Sequence, residues 1–489
     1  MANRATHMLD RCLPLPTPYD PAEDPPGSID PLGTVTTAEQ LAEILFPGLT
    51  SRMWRVRHLT FTALAALLAE RAAAKEGGNE DLRLEARLGL ERLFVSSIAR
   101  KESHEDGWQP AAKRLPGISL ARRAIQAGNQ PLGKQNFLKG QAINGPFGVV
   151  QRLARNLDII DNDNRLSRNG EQLLLEWSAE QGLDGILDEE NSGSPGAKWL
   201  KRIASGVVRH VQNGWWPGGG WSGWDDLATL LRPDTPDSRE RAVLFQLLTD
   251  PVSDVRKRSI ELLLSPATVQ AYRAATTNGS AGGLDQMILA QELPDRIRGA
   301  EEDVDRLILY TANLIDSFEQ LAGHLESAFR GLLWALTHRG GRSTVDQLLA
   351  DPSLAQHIDT SRDSLAAATT RFHSLMSRMP EHPQVAESID SERLDGVLQD
   401  ALAGVSDRAS LVQAVMDRHA RVQQQKKKGV WVERDEPHWT LMPGFGDSEA
   451  SPPDYSGTYL HPFRISNAYS FLSDLGRVRG IRVPDAEEN

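Results

Sequence analysis

Between residues 111 and 157 the sequence holds Lys113, Arg114, Arg122, Arg123, Lys134, Lys139, Arg152 and Arg155 and not one Asp or Glu. The whole chain carries 54 Lys and Arg against 66 Asp and Glu, a formal charge of −12, so this stretch is a local reversal of sign. Cationic side chains gathered without acids are the chemistry of phosphate recognition, while the overall negative charge argues against indiscriminate coating of nucleic acid. The stretch runs into the most legible pattern of the sequence, Asn144 to Gln181. Gly145-Pro146 opens a helix with Val149, Val150, Leu153 and Leu157 on one face. Ile159-Ile160 reads as a strand, Asp161 to Asn164 as a tight turn, Leu166 as the return strand, and Ser167 as the cap of a helix carrying Leu173, Leu174, Leu175 and Trp177. Helix, hairpin, helix is the layout of a winged helix, in which the helix before the wing can enter the major groove. This predicts Arg152 and Arg155 at phosphates or in the groove, Gln151 at base edges, and Lys134, Lys139, Arg165 and Arg168 in support. Two readings stay open: DNA contact, or a protein–protein module whose arginines are merely solvated.

Other residues invite chemistry less. Trp215, Trp216, Trp221 and Trp224 stand in a glycine-rich loop that can stack bases, although such tryptophans more often plug a junction. The run Lys426 to Lys428 can contact phosphate, although a charge run that ends a helical pattern also complements its negative end, and the second reading is favoured. Glu301, Glu302, Asp303 and Asp305 read as a solvated first helical turn. The 12 histidines are scattered, with no His-Glu-x-x-His and no spacing suited to a metal. No phosphate-cradling glycine loop, nucleophile elbow or dinucleotide fingerprint is present. The expectation is a non-enzymatic chain without cofactor or metal; an enzyme whose active site is dispersed along the sequence is the remaining alternative.

The elements that must position the basic residues are helices. The fold class expected is mainly α, a multi-domain helical protein with a winged-helix-like unit and a small C-terminal β-hairpin. Residues 1–34, rich in proline, read as an extended strap; 35–105 as an N-terminal helical domain, with Thr37 and Gln40 as a capping box; 106–212 as the winged-helix-like basic domain; 213–345 as a central helical domain; 346–422 as a helical region; and 423–489 as a terminal hairpin and helix. Residues 301–336 form the longest helical pattern, a core helix or the seam of a homo-oligomer. One helix is expected over 393–422, a hairpin from Val430–Glu433 and His438–Met442, a proline-rich insert near Pro452 and Pro453, and a last helix over 467–475. Ser238 to Leu264 holds two helical patterns separated by Asp250-Pro251. The single cysteine, Cys12, and the lack of an opening basic and apolar leader or a membrane-length apolar run predict a cytoplasmic chain with no membrane partner.

The segment Asp30 to Phe61, with Leu45-Phe46-Pro47-Gly48 followed by Arg52, Arg55, Arg57 and Phe61, resembles the opening of a bacterial family catalogued only as a domain of unknown function. The likeness continues through Leu115-Pro116-Gly117-Ile118 and through Gly299 to Leu321. Members of that family tend to be encoded beside helicases and other anti-phage defence genes. The resemblance therefore implies a subunit of a phage-defence or DNA-processing complex, partnered by a motor or nuclease, and it carries over no catalytic residue.

Overall fold

A computed structural model describes residues 30–481 of the chain, except 76–77, 189–192, 251–252, 277–280, 448, 450, 453–454 and 456. The proline-rich segment through residue 29, with Cys12, lies outside the described residues, as do Pro251 and Pro453. Two compact units result: a larger one of Leu41–Asn313 and Pro462–Asn489, and a smaller one of Met1–Gln40 and Leu314–His461. The principal helices of the first part of the chain are α1 (Val35–Leu45), α2 (His58–Lys75), α3 (Glu80–His104), α4 (Ile118–Gln126), α5 (Gln141–Asn144), α6 (Pro146–Asn156), α7 (Arg168–Glu180), α8 (Pro195–Asn213), α9 (Gly223–Leu230), α10 (Ser238–Leu248), α11 (Asp254–Leu264) and α12 (Pro266–Ala275). Then come α13 (Asp303–His338), β1 (Arg342–Thr344), α14 (Pro352–Met376), α15 (Ser391–Gly404), α16 (Arg408–Lys426), β2 (Val432–Asp435), β3 (His438–Leu441) and α17 (Ile465–Asp474). The chain is mainly helical, as its periodicity predicts.

The larger unit is organised around α3, which packs against α2, α4, α8 and α9. Leu82, Leu90, Leu93, Phe94, Val95 and Ile98 are all buried, and side chains around the whole circumference of its middle turns are covered, as befits a helix surrounded by others. Phe94 stacks on Phe61 of α2 at 4.5 Å. Gly89 lets α8 come close, because a Cβ there would stand 2.5 Å from Val211 Cγ1. The last helix, α17, returns to the segment after α1: Asn467 Nδ2 donates to the carbonyls of Ser51 and Met53, each at 2.9 Å. The Tyr469 ring lies against that of Tyr272, tilted by 33° with centroids 3.9 Å apart.

In the smaller unit the second part of α13 meets α14 where Phe318 lies 6.1 Å from Phe372, α14, α15 and α16 pack on one another, and a three-stranded antiparallel sheet has the order β1-β3-β2. The expected hairpin is β2 and β3, with Arg434 opposite Trp439. A third strand that the sequence pattern did not announce pairs Ser343 with Trp439.

Four expectations need correction. Thr37 does not cap α1; the helix begins at Val35, with Thr34 before it fixed by a 2.7 Å bond from its N–H to Asp30 Oδ1, and Thr37 is buried inside the helix. The single helix over 393–422 is two helices, broken at 405–407, where Asp407 accepts from Ser410 N and starts α16. Between α6 and α7 the two strands of the expected wing are one isolated antiparallel bridge, Ile160 to Leu166. Five intervening residues are too few for more pairing once Asp161 and Asn164 are consumed by the turn. Ser167 stands at the N-cap of α7, but its side chain makes no capping bond.

A buried ion pair ties α2 to α10. Arg57 (2 % exposed), the residue before α2, meets Glu240 (0 %) at 2.9 Å, Thr60 Oγ1 donates to the same carboxylate, and the remaining Arg57 donors go to the carbonyls of Arg232 and Thr235 and to Asp237 Oδ2 at 3.1 Å. Removing one partner strands the other charge away from water. Arg57→Met is expected to lower the unfolding free energy by about 3–5 kcal/mol, read from urea denaturation; a loss below about 1 kcal/mol would show that the pair is not confining Glu240.

Candidate nucleic-acid interface

The helix that carries Arg152 and Arg155 is held in place by a carboxylate from another helix. Glu91 of α3, fully buried, accepts from Phe147 N at 3.0 Å and from Gln141 Nε2 at 2.7 Å. The first-turn N–H groups of a helix have no partner within it, and an acceptor there is favoured by the dipole as well. Gly145 is what admits it, since a Cβ at that position would lie 2.2 Å from Glu91 Oε2; Pro146 follows at the first helical position, where its missing N–H costs nothing. Gln141 Oε1 in turn accepts from Arg92 Nη1 at 3.0 Å, Arg92 Nε faces His210 Nε2 at 3.2 Å, and the Arg87 guanidinium lies over the Phe147 ring at 4.2 Å. Burial pushes the Glu91 carboxyl up to about 7, against the opposing pull of the Gln141 and Phe147 bonds.

So anchored, α6 turns Val149, Val150, Leu153 and Ala154 inward and leaves Arg152 and Arg155 exposed and Gln151 half-buried. The turn after it forms as the sequence predicts: Asp161 N donates to Arg165 O at 2.9 Å, and Asp161 Oδ1 accepts from Arg165 N at 2.8 Å. The amide of Gln151 and the guanidinium of Arg155 both donate to Asn164 Oδ1, and Arg155 reaches Asn162 O at 3.2 Å. Gln151, Arg155 and the turn are thus one hydrogen-bonded group.

The rest of the basic set meets acids that are distant in sequence. Lys134 pairs with Glu85 at 2.7 Å, Arg152 with Glu43 at 2.9 Å, Arg165 with Glu80 at 3.2 Å, and Arg122 makes two 2.8 Å bonds to Glu102. Arg114 is drawn over the Trp54 ring at 3.5 Å, and burial pulls its guanidinium down to about 10. Lys139 and Arg168 are exposed. Arg168 has no ion pair among the described residues, which leaves it the most available cation of the helix–bridge–helix.

The tryptophans of the glycine-rich loop pack on one another: Trp221 meets Trp224 edge-on at 5.1 Å, Trp216 lies 5.5 Å from Trp224, and Trp224 is buried. In the smaller unit the structure assembles a constellation that sequence reading missed. Thr34 Oγ1 lies 3.1 Å from His461 Nε2, and His461 Nδ1 contacts Glu319 Oε1. A hydroxyl, an imidazole and a carboxylate in that order resemble a nucleophile relay, but the residues are 5 %, 7 % and 0 % exposed. Burial lowers the His461 pKa, and Glu319, with Asp30 and Glu326, more than offsets this. The trio reads best as a tie on the segment before α1. No sequence signal connects residues separated by 427 and 142 positions. Among the described residues no cluster of three or more His, Cys, Asp or Glu is placed to hold a metal, and no helix is long and apolar enough to cross a membrane.

The buried carboxyl under α6 gives a pH dependence whose sign is fixed. A group with a raised folded pKa contributes stability below its ordinary pKa of about 4.5 and loses it as pH rises through about 7. Wild type is therefore expected to lose stability relative to Glu91→Gln between those limits, measured as the gap between their urea midpoints. A gap that does not change with pH would show that Glu91 ionises as freely in the folded chain as in the unfolded one.

Compared with known proteins, the chain matches no family model, no curated protein and no solved structure.

Proposed function

We propose that this protein is a non-enzymatic DNA-binding subunit of a bacterial anti-phage defence or DNA-processing assembly, with α6, the bridge loop and α7 acting as a winged-helix-like element. Its helical surfaces would dock a helicase or nuclease. The observation that carries the reading is the outward surface of this segment: Arg152 and Arg155 are exposed on α6, whose inner face is sealed and whose N-terminus is pinned by Glu91, and Arg165 of the bridge loop and Arg168 at the start of α7 are exposed beside it in sequence. The pairs of Arg152 and Arg165 leave their own side chains 62 % and 54 % exposed, and ion pairs of that kind are weak enough for a phosphate to displace the carboxylate. The contact is a local one on a chain of charge −12, so salt must weaken it steeply. A second reading, docking of a protein through the same segment, is favoured by Ile143 and Leu175, which stand 65 % and 49 % exposed beside α6 and on α7.

Fluorescence anisotropy with a labelled duplex and a labelled single strand across a salt series separates the two. Arg152→Ala also releases Glu43, which holds Arg464 at 2.7 Å, so the cleaner variant is Arg155→Ala with Arg168→Ala. Wild type is expected to bind with a steep slope in log salt, and the double variant to lower that slope by roughly 2, at about 0.9 per lost phosphate contact on duplex. No binding at low salt, or binding that the variant leaves unchanged, overturns the DNA reading.

A further inference from the structure

A cavity of about 540 Å³ in the smaller unit is lined by Gly33 from the segment before α1, by Arg393 and Gly396 of α15, and by Arg418, Arg421 and Lys426 of α16 among others. Its walls bring four cationic side chains against two acids. Asp390 is already engaged at the N-cap of α15 through Arg393 N, at 3.1 Å, and Glu392 is exposed. Asp400 does not line the cavity; it accepts from Arg418 Nη1 at 2.8 Å and from both Nη atoms of Arg421 at 3.1 and 3.0 Å. One carboxylate outside the cavity thus holds two of its guanidinium groups in fixed places. Lys426 Nζ is tied to Asp30 at 2.7 Å.

One donor beneath this wall is unsatisfied. Arg418 is only 4 % exposed, and its Nε is buried without a hydrogen-bond partner. A buried donor on a charged group with no acceptor is costly. From the four cationic side chains of the lining, the fixed guanidinium pair and the concave wall we infer that this cavity binds a phosphate-bearing small molecule of nucleotide size. Guanidinium groups match the geometry of phosphate oxygens with paired bonds. The volume falls in the range of roughly 300–1,000 Å³ usual for small-molecule sites, more than inorganic phosphate needs. The inference concerns the smaller unit and stands apart from the DNA reading, which concerns the larger.

Isothermal titration calorimetry of the full chain with AMP, pyrophosphate and inorganic phosphate tests it. AMP is expected to bind saturably and more tightly than inorganic phosphate. Arg418→Gln risks the fold, because it leaves a cavity beside Asp400; Arg393→Gln with Arg421→Gln, at side chains 42 % and 46 % exposed, does not bury a new polar group. That pair is expected to weaken AMP by about tenfold or more, the usual scale for lost charge-assisted bonds, whereas Arg378→Gln, outside the cavity, leaves it unchanged. No saturable binding of any of the three probes at millimolar concentration overturns the site. So does AMP binding that the double variant does not alter, and inorganic phosphate binding as tightly as AMP overturns the nucleotide-sized ligand.

Discussion

Taking a carboxylate out of water is unfavourable unless donors replace the water it loses, and the placing of α6 follows from how Glu91 meets that requirement. Its oxygens are satisfied by the Phe147 N–H and the Gln141 amide, so α3 and the start of α6 cannot separate without orphaning both a buried acceptor and a helix-end donor. Gly145 makes room, and Gln141, Arg92 and His210 extend the network behind it. The candidate interface is therefore presented by a helix whose direction is set from its buried end, leaving the outer face free to be polar. Preorganisation of this kind is what the proposed DNA contact would ask of a few arginines in a chain whose net charge opposes nucleic acid.

The charges of the larger unit follow one pattern. Bases that cluster in sequence between residues 111 and 157 are met by acids from α1 and α3: Glu43, Glu85 and Glu102. Where such a pair is buried, as for Arg57 and Glu240, it fixes two helices together. Where it is exposed, as for Arg152 and Arg165, it holds the side chain only weakly against solvent and against a competing anion. Pairing rather than sequence clustering thus decides which cations remain available for a partner: Lys134 is held by Glu85, whereas among the described residues Arg168 has no ion pair and Arg155 bonds only to Asn162 and Asn164.

The smaller unit uses the same device on the segment before α1. Asp30 reaches both Thr34 and Lys426, Thr34 meets His461, and His461 is held by Glu319. Residues far apart in the chain are thereby bound around α16, where Asp400 steadies Arg418 and Arg421. The cavity wall and the tie on residues 30–34 share α16, so the order of one bears on the shape of the other.

The sequence by itself determined the helices. Apolar spacing announced α6 and most of α13, and turn chemistry announced Asp161 to Asn164, because these are dictated by side chains within one or two turns of each other. It also announced the β2–β3 hairpin, whose strands are neighbours in the chain. Capping was read less well at Thr37, where the long-range tie at Asp30 and Thr34 prevailed over the local signal, and in the break before α16, which the apolar pattern on both sides concealed. Only the tertiary structure decided the addition of β1 to the sheet, the pairing of Glu91 with α6, and the supply of acids to an acid-free stretch. It alone also brought Gly33, Arg418 and Lys426 to one cavity. Local periodicity reports how a segment covers its own surface; which charge ends beside which depends on contacts between residues tens to hundreds of positions apart, and no spacing in one sequence records those.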